Sequence, residues 1–333
     1  MAGFDEVVKF IRTARWDDFP EEVRERALMA FLDNFASLVA GRAADVSGIT
    51  ANFAVESWAS GLATVFDGGE KISAEGAAYA NATAANALDI DDCGLYTKGH
   101  PGAMVFPASL ALGEELDASG KEVLTAMVVG YEVGARIARC WHDYYDTYRA
   151  GGSWGSVACA GVSAHLLGLN ESATKEALKV AEYNSPYIPI IRGVKKPGMV
   201  KHGVGLGAFQ GIASAKLALE GFTGSDSLLE KKEYDKWLAD FGSCYVMIDG
   251  VIWKEYASCA WTHPALDAVK SLMKEYDFDP MDIGSIKIKT HEKACQLGTE
   301  LPETTEGAQF NLAWPVAALL VDGEVGPGQI KEE

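Results

Sequence analysis

Helical spacing of apolar residues dominates the first three quarters of the chain. Residues 20–41 begin with proline and two acids, carry apolar side chains three or four positions apart, and end on glycine. These are the signals of a helix and of its two ends. Residues 119–141 begin with Ser119 and carry Glu122 three positions later, which is the spacing of a capping box. We therefore predict a helix over each segment.

Three more apolar segments are rich in glycine, alanine and serine, and they cover residues 73–89, 154–169 and 203–221. A helix that is apolar on all sides is normally buried. We therefore expect these helices in the middle of a large helical domain or at a subunit interface.

The pattern changes near residue 250. Residues 284–292 alternate apolar and polar side chains, which predicts a half-exposed strand, and residues 308–323 return to helical spacing. One strand cannot form a stable sheet, so its partner strands are expected elsewhere.

Charge and cysteine content exclude several classes of protein. The 333 residues favour one large domain and a smaller one, and 29 basic against 47 acidic residues give a net charge of −18. Such a charge argues against nucleic acid or an anionic membrane as the main partner. The N-terminus lacks a signal-peptide pattern, and the six cysteines are widely spaced without a CxxC pair. We therefore predict a soluble cytoplasmic protein with reduced thiols.

One segment has the opposite charge. Between Glu182 and Glu220 there is no acidic residue. The basic residues and the histidine of this segment are Arg192, Lys195, Lys196, Lys201, His202 and Lys216. Its glycines do not have the spacing of a phosphate loop, so the segment favours a carboxylate ligand. The alternative is a solvated basic loop that balances neighbouring acids.

The sequence DIDDCGLYTKGHPGAMVFP, residues 89–107, carries three aspartates and one histidine after a predicted helix. A metal site is disfavoured, because the spacing matches no EF-hand loop and His100 is the only nitrogen ligand nearby. In a second interpretation, one aspartate orients His100 for proton transfer near neutral pH. In a third, the segment is a surface loop with a hydrogen-bonded histidine.

Several motifs in this order resemble the MmgE/PrpD family, which includes 2-methylcitrate dehydratase, cis-aconitate decarboxylase and iminodisuccinate epimerase. They are DIDD with HPG, GYEVGARI, SVACAGVSAHLLGL, KHGVGLGAFQGIASAKLALEGFTG and KEYASCAWTHPALDA, and together they cover nearly the whole chain. The resemblance implies a mostly α protein with a large all-helical domain, here residues 1–249, and a smaller α/β lid domain, here residues 250–333. It also implies a homodimer that needs no metal or organic cofactor and binds a small anionic di- or tricarboxylate.

Members of the family continue beyond the point where this sequence stops, so the resemblance implies an incomplete lid. The alternatives are a truncated chain, a second polypeptide that completes the lid, and an inactive relative.

The resemblance to the decarboxylase assigns candidate catalytic roles to Asp89, His100, Lys201 and Lys254. We expect His100 to be the acid/base residue, oriented by Asp89 or Asp91. The two lysines would hold carboxylates and stabilise the enediolate that forms when the carbon acid loses its proton.

Four positions depart from the decarboxylase. Cys93 replaces a threonine, Arg149 and Cys259 replace histidines, and Trp314 replaces a tyrosine. Arginine is suited to clamp a carboxylate but not to move a proton. The full set of predicted substrate-binding residues is Arg149, Cys93, Cys259, Arg192, Lys196 and Trp314.

The sequence therefore favours a hydro-lyase similar to 2-methylcitrate dehydratase. The alternatives are an epimerase of a dicarboxylate, in which Cys93 and Cys259 act as two bases, and a non-catalytic subunit or remnant. In the simplest interpretation of the two cysteines, both are inert.

Overall fold

The computed structural model describes residues 2–330, and most of them lie in helices. The predicted mostly α fold is confirmed. Along this described stretch, no helix combines the length and the apolar character needed to cross a membrane.

The chain forms two compact units, and neither is continuous in sequence. The first unit contains residues 2–87, 91–190 and 202–253. The second contains residues 88–90, 191–201 and 254–330. The chain therefore leaves the first unit at two internal places before it enters the C-terminal region.

In chain order the elements begin with α1 (Ala2–Thr13), α2 (Glu21–Gly41), α3 (Asp45–Ser57), β1 (Ser60–Thr64), β2 (Lys71–Ile72), α4 (Ala74–Ala85), β3 (Cys93–Gly94), α5 (Gly102–Glu115) and α6 (Gly120–Tyr144). They continue with α7 (Gly151–Leu166), α8 (Glu171–Tyr183), α9 (Ile190–Lys195), α10 (Val204–Leu219), α11 (Asp235–Leu238), α12 (Val246–Gly250) and β4 (Val251–Ile252). The last elements are α13 (His263–Glu275), α14 (Thr305–Gln309), α15 (Trp314–Asp322) and α16 (Pro327–Ile330). Antiparallel pairs join β1 to β2 and β3 to β4.

The core of the first unit is built from the helices with small residues. Every residue of α7 from Gly151 to Ala164 is buried, and α4 and α10 are buried on most of their faces. A Cβ on Gly211 of α10 would come within 2.3 Å of the Cβ of Cys159 on α7. Glycine therefore permits the close approach of these two helices.

The local signals at helix ends are confirmed. The Ser119 side chain accepts a hydrogen bond from the amide of Glu122, and the Glu122 carboxylate accepts one from the amide of Ser119 at 2.7 Å. This reciprocal capping box begins α6 one residue after the predicted start.

Two predictions for the C-terminal region are wrong. Residues 284–292 form no strand, because they pair with no other segment of the described chain in a β ladder or bridge. The predicted helix over 308–323 is broken into α14 and α15. Between them, the side chain of Asn311 accepts hydrogen bonds from the amides of Ala313 and Trp314, and Pro315 lies in the first turn of α15.

Candidate active site

In the first unit, a tight loop places His100 at the start of α5. The amide of Gly94 donates to the carbonyl of Gly99 at 2.8 Å, and Lys98 donates back to Gly94 at 2.8 Å. The loop begins at β3, where Cys93 pairs with Ile252 of β4. This closure returns the chain beside its own strand and leaves His100 in the interior, only 5% exposed.

Asp91 is the carboxylate that pairs with His100. Its Oδ2 atom lies 3.0 Å from Nδ1 of His100, and its side chain is completely buried. The sequence left Asp89 and Asp91 as alternatives for this role. Such a pair fixes which ring nitrogen carries the hydrogen and leaves Nε2 for proton exchange.

A second histidine stacks on the first. The ring centroids of His100 and His202 are 4.6 Å apart, with 32° between the ring planes. Asn86 links the pair from the side, since its amide donates to Asp91 and its oxygen lies 3.2 Å from Nδ1 of His202. Sequence reasoning noted His202 only as part of the basic segment and did not single out Asn86.

Each of these two rings also offers one nitrogen that could coordinate a cation. A ring nitrogen of His100 and one of His202 lie within 4.8 Å of each other. Nδ1 of each ring already faces a side-chain oxygen, so Nε2 is the atom that would meet a ligand.

Asp92 holds the turn that carries His100. Its carboxylate accepts hydrogen bonds from the amide of Gly102 at 3.0 Å and from the hydroxyl of Tyr131 at 2.6 Å. A Cβ on Gly102 would approach the side-chain nitrogen of Asn34 to 2.1 Å, so no larger residue fits. Burial raises the pKa of the Asp92 carboxyl to about 7, although these hydrogen bonds lower it.

Cys93, one of the predicted substrate-binding residues, lies beside His100. Its Sγ atom is 3.9 Å from Nδ1 of His100, and its side chain is half-buried. The thiol is thus in contact with the ring edge that also faces Asp91.

In the second unit, Asp89 and Lys254 form a buried ion pair. The carboxylate and the ammonium group are 3.1 Å apart, and each side chain is only 1% exposed. Lys254 also donates to the carbonyl of Asp89. Asp89 has a φ of 53°, a backbone conformation that is uncommon for residues other than glycine. Residues held in such conformations cluster at functional sites.

Gln309 brings two more predicted residues together in this unit. Its side-chain oxygen accepts a hydrogen bond from Nζ of Lys201 at 2.7 Å, and its carbonyl accepts one from the amide of Cys259 at 2.9 Å. Lys201 is buried and also has a positive φ, of 36°. No local pattern singles out Gln309, because its partners are distant along the chain.

His263 was also missed, although it lies in one of the quoted motifs. Burial, followed by the positive charge of Lys254, lowers the pKa of His263 to about 4. Its Nε2 atom lies 3.3 Å from the carbonyl of Ser258. His263 is therefore neutral at pH 7, and its ring stays beside the ion pair without adding charge.

Arg149 lies among aromatic rings of the first unit. Its guanidinium carbon is 3.6 Å from the ring centroid of Tyr145, 5.1 Å from Tyr187 and 5.3 Å from Trp141. Stacking of this kind holds a guanidinium in place while its edge can still bind a carboxylate. Its predicted role as a carboxylate clamp stays a prediction.

The remaining predicted residues lie in the second unit. Arg192 and Lys196 are exposed, on α9 and directly after it. Trp314 donates from its indole to the carbonyl of Gln329 at 2.8 Å and lines a cavity of about 750 Å³ formed by residues 302–330. The indole is thus engaged in holding the end of the described chain.

Comparison with known proteins gives family matches over two stretches of the chain. Residues 5–239 match the MmgE/PrpD N-terminal domain, and residues 256–333 match the MmgE/PrpD C-terminal domain. A cis-aconitate decarboxylase from Aspergillus terreus (strain NIH 2624 / FGSC A1156) is 24% identical over 349 residues, covering 95% of this chain and 71% of the relative. The cis-aconitate decarboxylase-like protein oryM from Aspergillus oryzae (strain ATCC 42149 / RIB 40) is 25% identical over 369 residues, covering 96% of this chain and 73% of the relative.

Proposed function

This chain belongs to the MmgE/PrpD family, and we propose that it is an enzyme that removes the proton α to a carboxylate of a small di- or tricarboxylic acid. The reaction we favour is loss of water from a 2-methylcitrate-like substrate. The basic segment and the curated relatives, which are named for a tricarboxylate, support this substrate class.

The buried pair of His100 and Asp91 is the observation that carries the proposal. A neutral imidazole with Nδ1 bound to a carboxylate can act as a general base at Nε2. Removal of an α proton by Nε2 leaves negative charge on the substrate carboxylate. Departure of the β hydroxyl as water then forms the double bond, with the proton returned by the same imidazolium.

Removal of the α proton converts the substrate carboxylate into an enediolate, and cationic side chains would stabilise its charge. Lys201 and Lys254 are the lysines we assign to this task, with Arg149 clamping a second carboxylate in a bidentate manner. Lys254 is already paired with Asp89, so its charge is partly balanced before substrate binds.

Two other reactions begin with chemistry at the same carbon. Decarboxylation is supported by the names of the relatives. The resemblance drawn from the sequence, however, implies that Cys93, Arg149, Cys259 and Trp314 replace other residues of the decarboxylase. Epimerisation would need two groups that move protons on opposite faces of the carbon; this alternative assigns them to Cys93, which lies 3.9 Å from Nδ1 of His100, and Cys259.

One assay in deuterated water distinguishes the three reactions. Purified protein is incubated with 2-methylcitrate, citrate, cis-aconitate and an iminodisuccinate analogue, and products are identified by mass spectrometry and NMR. We expect water loss from 2-methylcitrate; loss of carbon dioxide would identify the decarboxylase, and deuterium exchange at an otherwise unchanged acid the epimerase.

Two histidine variants test the assignment of the base. His100→Gln should abolish turnover, whereas His291→Gln, which changes an exposed histidine of the second unit, should leave it unchanged. Full turnover by His100→Gln would remove His100 from the mechanism. No turnover or binding of any di- or tricarboxylate by the unaltered protein would refute the proposed function itself.

A further inference from the structure

The amide of Asn86 is hydrogen-bonded at both ends. It lies at the end of α4, completely buried, and its Nδ2 atom is 2.9 and 3.0 Å from the two carboxylate oxygens of Asp91. A carboxylate only accepts hydrogen bonds, so the reversed amide would set oxygen against oxygen. The nitrogen of Asn86 must therefore face Asp91 and the oxygen must face His202.

This orientation determines the hydrogen on His202. The amide oxygen of Asn86 also only accepts, and it lies 3.2 Å from Nδ1 of His202. Nδ1 of His202 must then carry a hydrogen. The same reasoning applies to Nδ1 of His100, which lies 3.0 Å from Asp91.

Both stacked rings are consequently held with Nδ1 as donor. The rings lie 4.6 Å apart between centroids and are 5% and 6% exposed, so bulk water does not supply competing partners. Any proton that either ring gives or takes is the one on Nε2.

We propose that Asn86 is a positioning residue: its amide fixes the Nδ1–H form of His202 and orients Asp91, and through them it holds a stacked pair of histidines that both exchange protons at Nε2. The part of this inference that concerns turnover rests on the proposed function, because it assumes that His100 is the base. The part that concerns the ring hydrogens does not.

Nitrogen NMR of the histidine rings tests the inference without substrate. Protein labelled with ¹⁵N at histidine is examined at a pH where the rings are neutral, and signals are assigned with His100→Gln and His202→Gln. We expect both residues in the Nδ1–H form, although free neutral histidine favours hydrogen on Nε2. An Nε2–H signal for neutral His202 in the unaltered protein would overturn the inference.

Two other histidines of the first unit provide internal references. Nδ1 of His165 lies 2.7 Å from the carbonyl of Ile11, which requires the Nδ1–H form. Nε2 of His142 lies 2.9 Å from the carbonyl of Thr97, which requires hydrogen on Nε2. Unchanged signals from both rings in a variant show that the first unit is folded.

Two substitutions of Asn86 separate positioning from packing. Asn86→Ala removes the acceptor, so His202 should shift towards the Nε2–H form. Asn86→Asp keeps an acceptor facing His202; its other oxygen faces Asp91, so the two carboxyl groups must share one proton, and His202 should retain the Nδ1–H form. If His202 keeps Nδ1–H in Asn86→Ala with the reference signals unchanged, Asn86 does not set its hydrogen. Should neither variant fold, the signal from the unaltered protein still decides the inference.

Turnover gives a second measurement. We expect Asn86→Ala to lower kcat by about 10- to 100-fold with a small change in KM, as for outer residues that orient a reacting ring. The expected NMR pattern in a protein that turns over no carboxylic acid would refute the proposed function and leave the ring assignment standing. Normal kcat in Asn86→Ala would overturn the positioning role.

Discussion

Asp92→Asn should remove a pH dependence of stability that one buried carboxyl causes. Burial raises the pKa of Asp92 from 3.8 to about 7, and the nearby Asp91 carboxylate adds to this. The folded protein therefore binds a proton at Asp92 more tightly than the unfolded chain does. The stability that results is fully present below pH 3.8 and is lost as the pH rises through 7.

The magnitude follows from the difference between the two pKa values. At about 1.4 kcal/mol for each pKa unit, the full contribution is about 4 kcal/mol. Between pH 5 and pH 8, the unaltered protein should lose roughly 2–3 kcal/mol of unfolding free energy at this residue. Asparagine stays neutral over this range and still offers an oxygen to the amide of Gly102. The Asp92→Asn variant should therefore not lose this unfolding free energy as the pH rises.

The measurement is urea-induced unfolding at pH 5, 6, 7 and 8 for both proteins. The stability of Asp92→Asn relative to the unaltered protein should improve by roughly 2–3 kcal/mol from pH 5 to pH 8. Asp146→Asn, at an exposed position, is the control and should run parallel to the unaltered protein. A constant difference between Asp92→Asn and the unaltered protein would refute the argument from burial.

Two further predictions concern packing and charge. Lys254→Met should destabilise the protein by about 3–5 kcal/mol, because it leaves the Asp89 carboxylate buried without its cation, and adding Asp89→Asn should recover part of this loss in a double-mutant cycle. A loss in the double variant equal to the sum of the two single losses would show that the pair is not coupled. Gly41→Ala should cost about 1–3 kcal/mol, since its Cβ would lie 1.9 Å from the carbonyl oxygen of Ala84, whereas Gly120→Ala meets no atom within 4 Å and should not destabilise. Thermal unfolding of the two glycine variants checks this, and equal midpoints would contradict it.

Local signals were sufficient for much of the fold. Helices α2, α6 and α10 begin and end within three residues of their predicted limits, because caps, glycines and apolar spacing act over one or two turns. The prediction of a strand over residues 284–292 was wrong, because alternation of apolar and polar residues indicates only which side chains would face outward. Strand formation also requires a hydrogen-bonding neighbour, and the sequence pattern carries no information about that neighbour.

The residues of the candidate site were likewise only partly predictable from the sequence. The family resemblance selected His100, Asp89, Lys201 and Lys254 from the sequence. It did not select Asn86, which acts only through an amide that bridges two side chains from distant parts of the chain.

By itself, the sequence determined the helices, the family and the presence of three aspartates before one histidine. Only the tertiary structure decided what each aspartate does. Asp89 turns through a positive φ towards Lys254, Asp91 meets His100, and Asp92 binds the amide of Gly102. The reason is that the path of the backbone decides which partner each carboxylate reaches: Lys254 is 165 residues from Asp89, whereas His100 and Gly102 belong to the same turn.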